Sequence, residues 1–516
     1  MDRRQFLAAT AALAAAGPML AQSAPGTVTF GQSTAVLTLD SASGAFTGYP
    51  AGYEAALCIY DRLLDFDADM RIVPELAASF EMARDLKSMV LTLRPGVVFH
   101  DGMPLDAAAV KFSIERMMDK KRNTTNRPLW DPVVAVETPD AGTVVLRTAE
   151  PFAQLPNSLA HGSGAIISPA AVAKYGEAGI VQNPVGAGPY MLESFKPGQE
   201  LVLAAFERYW GGKPGAAKLV FRSIPEAATR ISALRTGAVD VIDAVPVQLV
   251  ATLAREPNIE ILRRPGLRPI GIAFNLTHER LADVRVRQAI NLAVPVEAIA
   301  SRVFFGFARA PDSPLAFDTA GHASVGKSTF DQARARTLLA EAGQKPGELA
   351  LTLIVSDGLF PGDIATAEIV AASLKQVGID LTIQKIERGA YFDVIRQDRS
   401  KATWDMAMFG FNPSNAAALY HLESLFKSNR DDAARPDVWN IGRYRNEKVD
   451  AALRDANTNP DEAGRMVALA LAQQIIWNDA PYLWLQVNEN VSAVRKGVAG
   501  VELWPIVFTS LRRAKV

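Results

Sequence analysis

The sequence predicts an α/β protein of several domains, and three observations support that prediction. The chain has 516 residues, and at about 150 residues per domain this length suggests about three domains. Apolar residues make up 49% and charged residues 21% of the chain, a composition typical of folded globular proteins. Strand and helix patterns alternate irregularly along the chain, which favours α/β lobes over a helical bundle or a sandwich.

Short apolar and alternating runs predict six strands in the first half, and two helices stand out beside them. Apolar residues recur at helical spacing within 107–118, and Asp106 precedes them as an N-cap. Residues 227–236 form a second helical pattern, which Gly237 ends because glycine adopts the left-handed conformation of a C-cap. The predicted strands are Val28–Phe30, Met89–Leu93, Val144–Leu146, Leu201–Ala205, Leu219–Arg222 and Val239–Ile242.

In the second half, a strand, a helix and a strand follow one another closely. They cover residues 349–355, 364–377 and 379–386, and such a βαβ unit places its two strands parallel. Three further segments have helical patterns. The first covers residues 283–303, the second follows Asp331, which caps it, and the third is a long segment from Asp461 to Asn478.

The charge balance and the residue counts exclude several functions. Lys and Arg total 54 against 55 Asp and Glu, a net charge of −1, whereas nucleic-acid binders usually carry a basic excess. The single cysteine, Cys58, excludes an intrachain disulfide, and the five histidines lack the spacing of a metal site. No serine lies in a nucleophile elbow. We therefore predict no enzyme, no catalytic residue, no cofactor, no metal site and no nucleic-acid partner.

Residues 321–328, GHASVGKS, match the phosphate-loop pattern G-x-x-x-x-G-K-[ST]. In a true loop of this kind, Lys327 would reach the terminal phosphate and Ser328 would bind magnesium. The context is unfavourable, because the segment before the match is short and is broken by Asp318, and the next helix begins at Asp331. We interpret the match as a chance sequence in a loop.

The N-terminus has the features of an export signal, predicted over residues 1–24. Arg3 and Arg4 precede an apolar stretch over residues 6–16, which is too short to span a bilayer. Small residues around Ala21 resemble a cleavage site. The paired arginines followed by Gln-Phe-Leu indicate the twin-arginine route, and hence a periplasmic protein.

Five blocks along the rest of the chain form a recognisable series. They are AASFE (77–81) with LTLRPGVVFHDGMPLDA (91–107), NPVGAGPY (183–190), YWGGKP (209–214), ALRTGAVD (233–240) and DVRVRQAI (283–290). In this order, the chain between about residues 27 and 510 resembles one family, the extracytoplasmic solute-binding proteins of ABC importers of the peptide/nickel type, or family 5.

The resemblance implies a two-lobed periplasmic binding protein fold with a hinge and an extra inserted domain, three structural domains in all. Domain I would be discontinuous and would comprise residues 25–50, 186–268 and 482–516. Domain II would be the insertion, residues 51–185, and domain III, residues 269–481, would form the opposite lobe. The ligand would lie between the lobes, which close around it.

The resemblance also bears on the ligand. In the dipeptide and oligopeptide members, an aspartate after a Gly-Trp pair binds the peptide α-amine. The matching stretch here, residues 410–415, has Phe411 in place of tryptophan and contains no acid. Residues 356–361 also lack the arginine that holds the carboxylate in dipeptide binders. Both differences argue against ordinary dipeptides, and residues 63–70 and 159–176 resemble the glutathione-binding branch instead.

We therefore expect a receptor for glutathione or another modified or acidic oligopeptide. Three arginines among the candidate residues would suit a carboxylate-rich ligand. The candidates are Arg127 and Trp130 in domain II, Arg268 at the crossover, Arg388 and Tyr391 after the third-domain strand, and Phe411 and Asn412 in the loop.

The expected partners are the permease and ATPase subunits of an importer at the inner membrane, and the family expectation is a monomer. A nickel or metallophore receptor of the same family is the alternative function. A secreted hydrolase is a remote one.

Overall fold

The computed structural model describes residues 26–40, 42, 50–121, 126–429 and 439–516. The predicted signal, residues 1–24, lies outside the described residues. Within them, no helix combines the length and the apolar character needed to cross a bilayer.

Nineteen strands occur in the described part of the chain, and eleven of them form one large mixed sheet. Its order is β15-β14-β16-β12-β17-β11-β1-β10-β9-β8, and β13 pairs with β17. The strands are β1 (Thr27–Gln32), β2 (Leu64–Phe66), β3 (Ile72–Pro74), β4 (Ala77–Met82), β5 (Ser88–Leu93), β6 (Val133–Asp140), β7 (Thr143–Thr148), β8 (Tyr190–Lys196), β9 (Glu200–Ala205), β10 (Lys218–Ser223), β11 (Val241–Ile242), β12 (Ile259–Phe274), β13 (Ala308–Arg309), β14 (Leu349–Val355), β15 (Ile379–Lys385), β16 (Met406–Gly410), β17 (Tyr482–Arg495), β18 (Glu502–Leu503) and β19 (Thr509–Ser510).

Both lobes contain helices. They are α1 (Pro50–Ile59), α2 (Ala107–Met118), α3 (Leu155–Ala160), α4 (Pro169–Gly179), α5 (Ala227–Thr236), α6 (Val247–Leu253), α7 (Glu279–Ala282), α8 (Val284–Ala293), α9 (Val296–Arg302), α10 (Gln332–Glu341), α11 (Asp363–Lys375), α12 (Arg388–Ile395), α13 (Ala418–Phe426), α14 (Glu447–Thr458) and α15 (Glu462–Asp479), with short 3-10 turns at Arg127–Leu129 and Gly162–Gly164.

Two long antiparallel strands, β12 and β17, connect the two lobes. Their register breaks between Pro265 and Pro269, so the first part of β12 pairs with residues 489–495 and the later part with residues 482–487. This break lies at the predicted crossover between residues 268 and 269. On β17 the break falls near Val487, later than the predicted boundary at 481/482.

Each lobe has its own apolar core. The core of the first lobe includes Phe30, Tyr53 and Leu91, and runs from the strands beside β1 into the small sheet β4-β5-β7-β6. The core of the second lobe includes Leu353 and Leu483. The predicted domain II, residues 51–185, thus contains the small sheet but shares its core with predicted domain I, and the three-domain division stays a prediction.

Most predicted elements are confirmed, including their caps. The Asp106 carboxylate accepts a hydrogen bond from the Ala109 amide at 3.0 Å, as expected for an N-cap. Gly237 ends α5 with φ of 77°, and β14 and β15 are parallel. One helix prediction is corrected: residues 283–303 form α8 and α9 rather than one helix, because Pro295 interrupts the helical hydrogen bonding between them.

The phosphate-loop match lies in an irregular segment, as predicted. No helix begins at its lysine, since α10 starts at Gln332. Gly326 packs beneath Trp477, so closely that a Cβ atom there would lie 2.0 Å from the indole Nε1. The Ser328 hydroxyl donates to the carbonyl of Pro311 at 3.0 Å. The glycine is therefore explained by packing against the tryptophan.

Candidate functional site

The candidate site lies between the lobes, where the carboxyl ends of parallel strands meet. In the second lobe, β14 is parallel to β15 and β16, and in the first lobe β1 is parallel to β10 and β11. In open α/β sheets, ligands bind beyond the carboxyl ends of the strands. The register break in β12 places Arg268 beside this cleft.

Arg268 is the most unusual side chain of the site. It is half-buried, and among the described residues it has neither a carboxylate within ion-pair distance nor a hydrogen-bond partner. Its guanidinium carbon lies 5.7 Å from the centre of the Phe360 ring. Burial lowers the pKa of Arg268 to about 10, so the group remains charged at neutral pH. A desolvated cation without a partner is costly unless an anion binds there.

Asn412 lies in the loop that follows β16, and it connects the two lobes. Its Nδ2 donates to the carbonyl of Ile506 in the first lobe at 2.7 Å, and its Oδ1 is buried without a hydrogen-bond partner. The Leu267 amide donates to the neighbouring carbonyl of Pro505 at 2.9 Å. The structure therefore brings Asn412 and the chain around Arg268 to the same short segment of the first lobe.

Three polar residues of β17 lie beside the register break in β12, and we did not predict any of them from the sequence. Both side-chain polar atoms of Asn488 are buried without a partner, as is Oε1 of Gln486. Asn490 lies on the same face of the strand, and its Nδ2 donates to the carbonyls of Trp504 and Pro505. Polar residues at alternate positions of a buried strand, in the run QVNEN, were the available signal.

Phe411 is 8% exposed and packs inside the second lobe beneath the loop. Its ring centre lies 5.5 Å from those of Tyr420 and His421. Phe411 and His421 line a cavity of about 10 Å³ that also touches Trp484, which is about the space that one water occupies. Burial lowers the pKa of His421 to about 3, so this apolar floor of the site is uncharged.

The other four predicted site residues lie elsewhere. Arg127 pairs with Asp131 at 2.9 Å on the surface of the first lobe, and Arg388 is exposed at the start of α12. Trp130 is fully buried and donates to the Ser163 hydroxyl at 2.9 Å. Tyr391 is also fully buried, and its hydroxyl bonds the carbonyls of Ile354 and Met408. These two rings support the cores, and of the seven predicted residues the structure brings Arg268, Phe411 and Asn412 together near the crossover.

A buried carboxyl group lies at the carboxyl end of β1. Glu54 accepts hydrogen bonds from the Gln32 side chain at 2.6 Å and from the Thr509 amide at 2.7 Å. Burial, and then the charge of Asp243, raise the pKa of Glu54 to about 8. The folded chain therefore holds this proton more tightly than the unfolded chain, in which the pKa is near 4.5.

This carboxyl group predicts how stability depends on pH. Because the folded pKa is raised, the Glu54 contribution is present at low pH and is lost as pH rises through about 8. We expect the melting temperature of the ligand-free protein to fall between pH 6.5 and 8.5, and the fall to be smaller in Glu54→Gln. A melting temperature that rises over this interval in the wild type would contradict the assignment.

The described residues contain no cluster of three or more His, Cys, Asp or Glu side chains arranged to hold a metal ion. Among the described residues, the cleft offers the Arg268 guanidinium, several amide groups and an aromatic floor. Such a set can bind an anionic, polar molecule by charge-assisted hydrogen bonds.

Comparisons with known proteins agree with this arrangement. The sequence is similar to the glutathione-binding protein GsiB of Salmonella paratyphi A, with 30% identity over 452 residues, which is 87% of each chain. It is also similar to GsiB of Escherichia coli O1:K1 / APEC, with 30% identity over 454 residues, again 87% of each chain.

Two solved structures have a similar fold over almost the whole chain. They are the periplasmic binding protein AgaA of A. tumefaciens R10 in complex with agropinic acid, and DppA of Helicobacter pylori in complex with the peptide STSA. Each has 26% identity, a TM-score of 0.81 and coverage of 95% of this chain and 98% of the other.

The family assignment follows from these likenesses and from a family model. The model for bacterial extracellular solute-binding proteins, family 5 (middle), matches residues 71–433. The two lobes, the paired crossover strands and the cleft between them are the parts of a solute receptor for an ABC importer. This chain belongs to family 5 of the bacterial extracellular solute-binding proteins.

Proposed function

We propose that this chain is a periplasmic receptor for an acidic, peptide-like solute such as glutathione. One observation carries the proposal: Arg268 is a half-buried cation in the cleft and has no anionic partner within the part of the chain that the structure describes. A ligand carboxylate would supply that partner, and a charge-assisted pair with a guanidinium is among the stronger polar interactions in proteins. The GsiB relatives, which are named for glutathione binding, support the same ligand class.

The remaining polar groups of the cleft fit a ligand with amide bonds. Asn412 and Asn488 together offer buried oxygen and nitrogen atoms that have no partner among the described residues. A peptide backbone or side-chain amide would satisfy both donors and acceptors. The loop of residues 410–415 contains no acid, so it does not favour a ligand that depends on a free amine.

In this role the chain captures its ligand between the lobes and delivers it to the permease and ATPase subunits of an importer. Closure follows from the ligand contacting both lobes at once, which lowers the free energy of the closed state relative to the open one. We propose that the chain acts as a monomer and does not alter the ligand covalently.

A thermal shift experiment tests the ligand class. We expect glutathione to raise the melting temperature more than Ala-Ala does at the same concentration, because only glutathione brings excess negative charge to Arg268. A ligand at about 100 times its Kd stabilises the folded state by about 2.7 kcal/mol, which gives a measurable shift. Equal shifts for the two peptides would contradict the acidic ligand class, and a shift only with a nickel–histidine complex would favour the metallophore alternative.

We also propose export by the twin-arginine route. Replacing Arg3 and Arg4 by lysine keeps both charges but removes the guanidinium pair that this pathway recognises. The expected result is loss of the protein from the periplasmic fraction, measured by immunoblotting against cytoplasmic and periplasmic markers. Normal periplasmic yield of the double-lysine variant would instead indicate the general secretory route.

A further inference from the structure

Three side-chain hydrogen bonds join the lobes at some distance along the chain from Arg268. The Gln154 side chain donates to Glu423 at 3.1 Å, and the Asn157 side chain donates to the carbonyl of Asn415 at 2.9 Å. His161 Nε2 lies 2.9 Å from the Ser414 hydroxyl. The first partner in each pair precedes, lies in or follows α3 of the first lobe, and the second belongs to the second lobe. We call Asn157, His161, Ser414 and Asn415 the interlobe latch.

The protonation state of His161 decides which side chain donates the hydrogen bond between His161 and Ser414. The Ser163 amide donates to His161 Nδ1 at 3.0 Å, so Nδ1 is an acceptor. Nε2 then carries the proton and donates to Ser414. Burial, and then the charge of Arg62, lower the pKa of His161 to about 3, which keeps this neutral form at all physiological pH values. The Ser414 hydroxyl also bonds the Tyr420 side chain.

The latch holds the same loop that presents Asn412 to the cleft. The Ser414 amide donates to the Asn412 carbonyl at 2.8 Å, and the Ala416 amide donates to the Pro413 carbonyl at 2.7 Å. Ala416 has φ of 57°, a left-handed conformation that costs free energy for a residue with a side chain. It is buried against the core of the first lobe. The loop is thus a tight, strained turn that needs external support.

We propose that Asn157 and His161 are positioning residues for the ligand site: they hold the 410–415 loop from the opposite lobe and so set affinity without touching the ligand. The inference rests on the proposed function only in taking the cleft around Asn412 as the ligand site. In this role, α3 and the residues beside it affect solute binding because they hold the 410–415 loop, and they do not line the cleft themselves.

Three variants and one control separate this role from general stability. Asn157→Asp keeps the shape of the side chain but removes the donor to the Asn415 carbonyl. Ser414→Ala removes the hydroxyl that accepts from His161, and Ser414→Thr retains it. Ser301→Ala removes an exposed hydroxyl that bonds the Ala298 carbonyl in the same lobe, and it is the matched control.

The readout is hydrogen–deuterium exchange of the ligand-free, full-length mature protein. We expect the peptide covering residues 410–417 to exchange about tenfold faster in Asn157→Asp and Ser414→Ala, since each loses one partly buried hydrogen bond between the lobes. Exchange in α2 should stay unchanged, and Ser414→Thr and Ser301→Ala should match the wild type. Unchanged exchange at 410–417 in both latch variants, or faster exchange in Ser301→Ala as well, would overturn the proposal.

Glutathione binding to the same proteins provides the second readout. We expect the dissociation rate to rise about tenfold in the latch variants while the melting temperature of the ligand-free protein stays close to that of the wild type. If the wild type does not bind glutathione, the proposed ligand is wrong, but the exchange experiment still decides the role of the latch. If loop exchange increases and glutathione dissociates at the wild-type rate, the latch does not set affinity and the proposal fails.

Discussion

Arg268→Met is expected to abolish most binding of an acidic ligand while leaving the ligand-free protein as stable as the wild type, or more stable. The guanidinium has no anionic partner among the described residues, so removing it eliminates an uncompensated, partly desolvated charge. The ligand carboxylate, by contrast, loses its partner in a closed cleft. That loss is worth about 3 kcal/mol, or about 100-fold in Kd.

Calorimetric titration with glutathione measures this effect, and Arg388→Met is the matched control. Arg388 was predicted as a ligand contact together with Arg268, but it is exposed at the start of α12. Its replacement should leave the Kd for glutathione within about twofold of the wild type. Equal losses in the two variants would contradict the assignment of Arg268, because they would indicate a long-range effect of charge rather than a specific contact.

Arg512→Met is expected to cause the largest loss of stability. Arg512 contacts Asp61 and lies 2.6 Å from Glu75, deep in the first lobe. Its guanidinium also donates to the Tyr209 hydroxyl at 2.8 Å. Burial raises the pKa of both carboxyl groups, and Arg512 opposes that rise. Removing the cation would leave Asp61 and Glu75 buried with Arg62 as the remaining cation beside them, at a cost of about 3–5 kcal/mol in the free energy of unfolding.

The neighbouring residue provides the control for this second prediction. Arg513 pairs with Glu502 at 3.2 Å, but its side chain is 75% exposed, and such surface pairs contribute about 0–1 kcal/mol. In guanidinium-induced unfolding, the midpoint of Arg512→Met should therefore fall far more than that of Arg513→Met. The double variant Arg512→Met/Asp61→Asn should recover part of the loss. Similar midpoints for the two single variants would show that the buried cluster of Arg512, Asp61 and Glu75 is not essential for stability.

Local elements were predictable from sequence because their signals are local. Caps such as Asp106 and Gly237 lie within a few residues of the helix ends that they define. The βαβ unit from residue 349 to 386 was predictable for the same reason, since each apolar run is short and sharply bounded. The helix predicted over 283–303 was too long because its apolar periodicity continues across Pro295, where the backbone hydrogen bonding cannot.

The site was only partly predictable, because it depends on which face of an element meets the cleft. Tyr391 follows the correct strand, but its hydroxyl points into the sheet and bonds the Met408 carbonyl at 2.6 Å. Asn488 lies on β17, about 220 residues after Arg268 along the chain, and only the pairing of β12 with β17 brings the two segments together. No local pattern encodes such a contact.

The most direct test of the ligand site is a crystal structure of the mature protein grown with glutathione. We predict closed lobes around one glutathione molecule, with a ligand carboxylate oxygen within about 3 Å of the Arg268 guanidinium and a ligand amide hydrogen-bonded to Asn412 or Asn488. Glutathione bound with its carboxylates away from Arg268, or a cleft that stays empty at saturating glutathione, would contradict the account.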